Sequence, residues 1–120
     1  MTSRERVVLD DGGVAARLAL RMAYCPPEML DDVADILAEM RRWAGVVEKK
    51  PGVFYVGREP FLHFHLLQGG RRRADIKGAA DWDEVELPRP ASATRRTTLL
   101  RRLRARYAEK PPRYTSAPSR

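Results

Sequence analysis

Two histidines, His63 and His65, are the residues whose type and spacing could most readily do chemistry. They are the only histidines among 120 residues, and they lie in the stretch 59–67, which reads EPFLHFHLL. An imidazole titrates near neutral pH, so it can bind a metal, transfer a proton or take part in hydrogen bonds. Because alternate residues of a strand share one face, the spacing places both imidazoles on the same side of an extended strand.

The loop that follows this strand decides which face of a sheet the histidines occupy, because a slip of one residue exchanges the two faces. A three-residue loop over 68–70 pairs His65 with Arg73 and His63 with Asp75. This register gathers the apolar residues of both strands on the opposite face, whereas a two-residue loop mixes charged and apolar residues on each face. We therefore predict the three-residue loop.

The wider pattern predicts an α+β fold. Apolar residues at helical spacing predict helices, and period-two alternation predicts strands. The helices are expected over 14–24, 27–44 and 92–108, and the strands over 53–56, 59–67, 72–77 and 82–87. The first two strands are joined by a two-residue turn at Gly57 and Arg58. The expected architecture is a two-layer sandwich, with a four-stranded antiparallel meander and helices on one face.

A chain of this length suits one domain with one modest core. We place that domain at 14–109, with a tail or edge strand over 1–13 and a disordered tail over 110–120. Cys25 is the single cysteine, so an internal disulfide and a cysteine-based zinc site are excluded. No signal peptide or membrane span is expected, because basic residues interrupt the most apolar early stretch. The predicted location is cytoplasmic.

We call the sheet face that carries the two histidines the histidine face. The register and the turn, which pairs Phe54 with Phe61, give its expected members. They are Phe54, Phe61, His63, His65, Arg73, Asp75, Trp82, Glu84 and Glu86. Exposed aromatic residues rimmed by charged groups are typical of a surface that binds a small ligand or a protein partner. Cover for this face would come from the N-terminal segment, a ligand or a second subunit, so a homodimer is one expectation.

Chemistry on the histidine face is the alternative. His63 and His65, together with Asp75, Glu84 or Glu86, form an acceptable ligand set for a divalent metal such as zinc, iron or manganese. General acid–base catalysis by either histidine, oriented by Asp75, is the metal-free version. The purely structural alternative is a pair of packed histidines bonded to neighbouring carboxylates. No serine or cysteine nucleophile has a recognisable signature, so the prediction leans away from an enzyme and no cofactor is predicted.

The basic charge lies at the C-terminal end. The chain has 23 lysines and arginines against 16 acidic residues, and residues 89–120 hold ten of the former with Glu109 as the one acidic residue. Anion or nucleic-acid binding is therefore a further alternative, through a helix whose candidates are Arg95, Arg96, Arg102 and Arg106. The arginine run 71–73 is a second candidate for phosphate. The competing interpretation is a solvated helix face, and no helix-turn-helix or RNA-binding signature is present.

Two family resemblances concern the histidine strand. Gly57, His63 and His65 match G-x5-H-x-H, which resembles the first half of the cupin metal motif. The cupin glutamate falls here on Gly69 or Gly70 and the third histidine is missing, so a cupin is disfavoured. The chain also resembles the YjbR-like and luciferase-domain group of small bacterial proteins. The matching residues are Val56, Gly57, Arg58, Phe61, His63 and His65. This second resemblance implies a small bacterial α+β domain and implies little about its activity.

Overall fold

The structure, a computed structural model, describes residues 25–115. The predicted helix over 14–24, the N-terminal segment 1–13 and residues 116–120 lie outside the described residues. The elements are a 3₁₀ helix (Pro27–Val33), α1 (Ala34–Met40), β1 (Val46–Lys50), β2 (Val53–Val56), β3 (Glu59–Leu66), β4 (Arg72–Lys77), β5 (Trp82–Glu86), α2 (Ala93–Tyr107) and α3 (Pro112–Thr115).

The five strands of residues 25–115 form one antiparallel sheet in the order of the chain. The predicted α+β class is confirmed, but the sheet has five strands where the sequence predicts four. The additional strand is β1, which pairs with β2 at one edge. Its sequence, VVEKK, has only two apolar residues before a run of charges, which is common at the edge of a sheet and leaves little alternation to detect.

The register between β3 and β4 is the predicted one. The loop is a short 3₁₀ turn over Gln68–Gly70, and the N–H of Leu67 donates to the carbonyl oxygen of Arg71 at 2.7 Å. His63 consequently lies opposite Asp75, and His65 lies opposite Arg73.

The predicted pairing of Phe54 with Phe61 is wrong. Phe54 lies opposite Leu62 while Tyr55 lies opposite Pro60, so Phe61 is the extra residue of a β-bulge. A bulge changes the alternation of side chains along a strand. Phe61 therefore packs edge-on against Tyr107 of α2, with 6.3 Å between ring centroids. Both phenylalanines are fully buried in the core, not exposed on the histidine face.

The core lies between the helices and one face of the sheet. On the strands, the core residues lie on the face opposite the histidines, and Phe61 joins them through the bulge. The helices contribute the apolar residues along one side of each helix. The core comprises Leu30, Val33, Ile36, Leu37, Met40, Phe54, Val56, Phe61, Leu62, Phe64, Ala74, Ile76, Leu87, Leu99 and Leu103, with Cys25 beside them. Ser92 caps α2, because its side chain accepts from the N–H of Arg95 at 3.1 Å.

The helix predicted over 27–44 is in fact two shorter pieces, a 3₁₀ helix and α1. The break falls at Val33, whose φ of −118° is not helical. The carbonyl oxygen of Met29 would accept from Val33 in an α-helix, and here it accepts from Nη1 of Arg72 at 2.6 Å. The hydrogen bond from Arg72 of the sheet to Met29 therefore accounts for the tighter 3₁₀ winding of Pro27–Val33.

The C-terminal segment folds back onto the domain through residue 115, although the sequence predicts a disordered tail from 110. Tyr107 donates its hydroxyl hydrogen to the carbonyl oxygen of Ala44 at 2.5 Å, and Lys110 is buried. α3 then places Tyr114 against Gly57 in the turn between β2 and β3. Within residues 25–115, no helix is long and apolar enough to cross a membrane.

Candidate functional site

The histidine face is built from three neighbouring strands. Cross-strand pairs share a face, so the register fixes its members directly. They are His63 and His65 from β3, Arg73, Asp75 and Lys77 from β4, and Trp82, Glu84 and Glu86 from β5. All of the predicted members except the two phenylalanines are thus brought together, and Lys77 joins them.

Asp75 is the centre of a polar chain on this face. Its Oδ1 accepts from Nε of Arg73 at 2.8 Å, and its Oδ2 accepts from Nη2 of the same arginine at 3.1 Å. Oδ2 also lies 2.9 Å from Nε2 of His65. Because a carboxylate accepts, Nε2 of His65 carries the hydrogen in this contact. The orientation of the His65 ring is therefore set by a carboxylate that an arginine holds in place.

His63 has a different environment. Its ring lies 5.4 Å from the ring of Trp82 and 6.2 Å from that of His65. Its Nε2 is buried and has no hydrogen-bond partner in the described part of the chain. Burial lowers the pKa of His63, the charge of a protonated His65 lowers it further, and Asp75 opposes both effects. His63 is therefore held in its neutral form near pH 7.

Trp82 gives the face its exposed apolar contact. It lies at the edge strand, it is 39% exposed, and the Lys77 ammonium is 6.0 Å from its ring. The carboxylates beside it differ in their pairing. Glu86 accepts from Nη1 of Arg71 at 2.9 Å, whereas the side chain of Glu84 is 62% exposed and only reaches Arg73 at 4.0 Å.

The predicted metal set does not converge in this geometry. Among residues 25–115, no three side chains of histidine, cysteine, aspartate or glutamate are placed to hold a metal ion. Both oxygens of Asp75 already accept from Arg73, and one also meets His65. A metal that used Asp75 together with His63 and His65 would have to displace the arginine from this carboxylate.

The candidate arginines of α2 are largely held by acidic or backbone oxygens. Arg106 forms a bidentate pair with Asp83, at 2.9 and 3.2 Å, and Arg102 lies 3.7 Å from the same carboxylate. Arg96 pairs with Asp35 of α1, and Nη1 of Arg95 donates to the carbonyl oxygen of Glu86. Their charges are thus partly compensated within the domain.

The arginine run 71–73 is divided among three environments. Arg71 pairs with Glu86 at the surface and Arg73 with Asp75 on the histidine face. Arg72 points into the core, where it is fully buried and pairs with Asp32. Sequence reasoning missed this pair, although residue parity along β4 gave a signal, since Arg72 shares its face of the strand with the apolar core residues Ala74 and Ile76.

Comparison with protein-family models, with curated proteins and with solved structures finds no match. The resemblance to the YjbR-like and luciferase-domain group therefore stays a prediction.

Proposed function

We propose that this protein is a binding module and that its histidine face takes a ligand or a protein partner. The observation that carries the proposal is the environment of His63. Its Nε2 is buried and unpartnered among the described residues, and it lies beside the exposed ring of Trp82. A buried polar atom without a partner is costly, so a ligand group that reaches and bonds to it recovers that cost.

The chain from His65 through Asp75 to Arg73 supports this proposal. Its side chains are fixed by short hydrogen bonds before any ligand arrives, so little side-chain entropy is lost on binding. Trp82 adds a large apolar contact at the same place. A few fixed polar groups beside an aromatic ring are the usual composition of a recognition surface.

Nucleic-acid binding by α2 has less support. Arg96, Arg102 and Arg106 would each have to leave a carboxylate before they could bind a phosphate. Exposed ion pairs are weak, so this competition lowers the affinity without forbidding it. Binding to a duplex oligonucleotide that falls steeply with salt concentration would favour this alternative over the histidine face.

Proton transfer is a second candidate, and one contact favours it. The 2.9 Å separation of His65 Nε2 from Asp75 Oδ2 is the geometry in which a carboxylate orients an imidazole for general acid–base work. Binding is the better-supported function, because the buried Nε2 of His63 and the exposed ring of Trp82 lie side by side on the face.

Nuclear magnetic resonance tests the proposal directly, because the chain has two histidines and two tryptophans. Trp82 lies on the histidine face, whereas Trp43 bonds through Nε1 to Glu39 and packs on Tyr107. The probes are benzoate, benzylamine, and the peptides (Lys-Val)₃ and (Glu-Val)₃. We expect at least one probe to shift the resonances of His63 and the Trp82 indole while the Trp43 indole stays unchanged.

The variant His63→Gln keeps a polar group of similar size, and Trp82→Ala removes the aromatic contact. Each should weaken the binding of the probe that shifts the face. Trp43→Phe, on the helix side, is the matched control and should leave that affinity unchanged. The proposal fails when no probe shifts His63, His65 or Trp82 more than it shifts Trp43.

A further inference from the structure

The outer edge of β5 presents backbone groups at defined positions. Leu87 N–H donates to the carbonyl oxygen of Arg72 at 2.9 Å, and Gly78 N–H donates to that of Asp81 at 2.8 Å. These two bonds frame the antiparallel ladder between β4 and β5, in which inward and outward residues alternate. The outward N–H and C=O groups of β5 therefore belong to Trp82, Glu84 and Glu86.

The same three residues place their side chains on the histidine face. Of their outward groups, the carbonyl oxygen of Glu86 accepts from exposed Arg95 at 3.2 Å. No strand from the described residues pairs with this edge. An unpaired edge with its side chains on a recognition surface is a template for an added strand.

The two edges of the sheet differ in protection. At β1 the register shifts between Glu48 and Lys50, Lys49 and Lys50 add charge, and Pro51 follows. A bulge, lysines and a proline are the usual means of blocking edge pairing. β5 keeps an unbroken register over all five residues and contains neither lysine nor proline. Among residues 25–115, the open edge is therefore β5.

The charge of the open edge selects its occupant. Glu84 is exposed, Glu86 is half exposed at its side chain, and Asp81 precedes the strand at the surface. Asp83 faces the helices and is taken by Arg106. Pairing with β5 of a second copy would bring the glutamates of both copies together, and like charges on paired strands destabilise the pairing. A basic strand would instead place its positive charges beside the glutamates of β5 and attract them.

We propose that an extended basic peptide segment adds to β5 as a further strand. Its backbone bonds to the outward groups of Trp82 and Glu84 and to the outward N–H of Glu86, whose carbonyl oxygen already accepts from Arg95. Its alternate lysine or arginine side chains lie on the histidine face, where one charge meets the exposed Glu84, which reaches Arg73 only at 4.0 Å, and the aliphatic stems cover the Trp82 ring. This inference names the partner class for the face proposed above and rests on that proposed function.

The peptide (Lys-Val)₃ is the probe, and backbone amide shifts of the ¹⁵N-labelled protein are the readout. We expect the largest shifts at residues 82–86, and no binding of (Glu-Val)₃ at the same concentration. A (Lys-Val)₃ peptide with methylated backbone nitrogens keeps all charges and loses its donors. It should bind about tenfold more weakly, because each lost hydrogen bond reduces affinity several-fold.

Glu84→Pro tests the edge from the protein side. The Glu84 N–H points away from β4, so proline removes an outward donor and leaves the inner ladder intact. The matched control Glu84→Gln keeps that N–H and removes the charge. We expect about tenfold weaker peptide binding for Glu84→Pro and a smaller loss for Glu84→Gln. The methylated peptide gives the same test without depending on the folding of either variant.

Equal binding of the methylated and unmethylated peptides would overturn the inference, as would shifts centred outside residues 82–86. A dimer seen by sedimentation that Glu84→Pro converts to monomer would also overturn it, because the occupant would then be a second copy. Shifts of His63 and Trp82 by benzoate or benzylamine without peptide binding would leave the proposed function standing. The absence of every shift would remove both.

Discussion

Arg72 and Asp32 form a bidentate ion pair at the junction of the sheet and the first helix, with both N–O distances at 2.8 Å. The Arg72 side chain is fully buried, and its remaining bonds go to three backbone carbonyl oxygens. The five N–H donors of the guanidinium are thereby all used. The same hydrogen bonds hold the pKa of Asp32 below its ordinary value.

Removing the carboxylate should destabilise the protein strongly. Asp32→Ala leaves a buried guanidinium without its counter-charge, and we expect a loss of about 3–5 kcal/mol in the free energy of unfolding. Urea denaturation measures this loss. Glu86→Ala breaks the exposed pair with Arg71 and is the control, with an expected change below about 1 kcal/mol. Similar losses for the two variants would contradict a structural role for the buried pair.

The sequence predicts the strand register of the sheet but not the side-chain contacts made within that register. The strands from β2 to β5 and the loop over 68–70 could be predicted, because only one register separates charged from apolar residues. That register placed His63 opposite Asp75 correctly. The closer contact of Asp75 is with the diagonal His65, because the Arg73 guanidinium fixes the carboxylate, and side-chain competition of this kind is not visible in a pairing pattern.

The β-bulge at Phe61 could not be predicted for a related reason. Alternation places Phe61 on the histidine face, and the turn alone gives no signal of an extra residue. The bulge becomes favourable when Phe61 packs on Tyr107, which lies far along the chain. Burial of a whole aromatic side chain is worth about 1.5–3 kcal/mol, enough to outweigh the irregularity in a short strand pair. Long-range packing thus removed two predicted site residues from the surface.

The pH dependence of stability should carry the signature of His63. Its pKa is lowered in the folded protein, so the unfolded chain binds more protons between that lowered pKa and the ordinary value of 6.5. Stability therefore falls as the pH falls through this window, by at most about 1.4 kcal/mol per pH unit for one proton. Urea denaturation between pH 5 and 8 measures the slope.

His63→Gln removes this titration and should flatten the profile below pH 6.5. His65→Gln keeps the His63 titration, so the slope should remain, over a narrower pH window because the charge of His65 no longer lowers the pKa of His63. Direct titration of the His63 imidazole by nuclear magnetic resonance supplies an independent check. A midpoint at or above the ordinary value would show that His63 is not shielded in the way the structure indicates.

Lys110 should be replaceable with a gain in stability. Its side chain is 1% exposed, its Nζ has no hydrogen-bond partner in the described chain, and Glu59 lies 3.7 Å away. Burial and the nearby charge of Lys77 lower the pKa of Lys110. Lys110→Met fills the same volume without a charge, and we expect a stabilisation of about 1 kcal/mol at pH 7 by urea denaturation.

The pH dependence of the stability gain distinguishes removal of the buried Lys110 charge from improved packing. The unfolded chain binds the proton of Lys110 more tightly, so wild-type stability gains from this residue as the pH rises towards its ordinary pKa of 10.5. The advantage of Lys110→Met should shrink over that range. Lys49→Met, at an exposed position, is the control and should show neither effect. An advantage that is constant with pH would assign the gain to packing.

Gly57 should tolerate a side chain much less well than Gly69, although both have positive φ angles, of 61° and 74°. A Cβ at Gly57 would lie 2.3 Å from the ring of Tyr114, whereas nothing lies within 4 Å of a Cβ at Gly69. Gly69→Ala therefore measures the backbone cost alone, about 1–2 kcal/mol. We expect Gly57→Ala to lose at least about 1 kcal/mol more, because Tyr114 or the turn must move.

The double variant Gly57→Ala/Tyr114→Ala identifies the source of that excess. Compared with Tyr114→Ala alone, the glycine substitution should then cost only as much as it does at Gly69, because the colliding ring is gone. Urea denaturation of the four variants completes the cycle. An unchanged excess in the Tyr114→Ala background would mean that the C-terminal segment does not rest on the turn between β2 and β3. Disappearance of the excess cost in the Tyr114→Ala background would establish that residues 112–115 belong to the folded domain in solution.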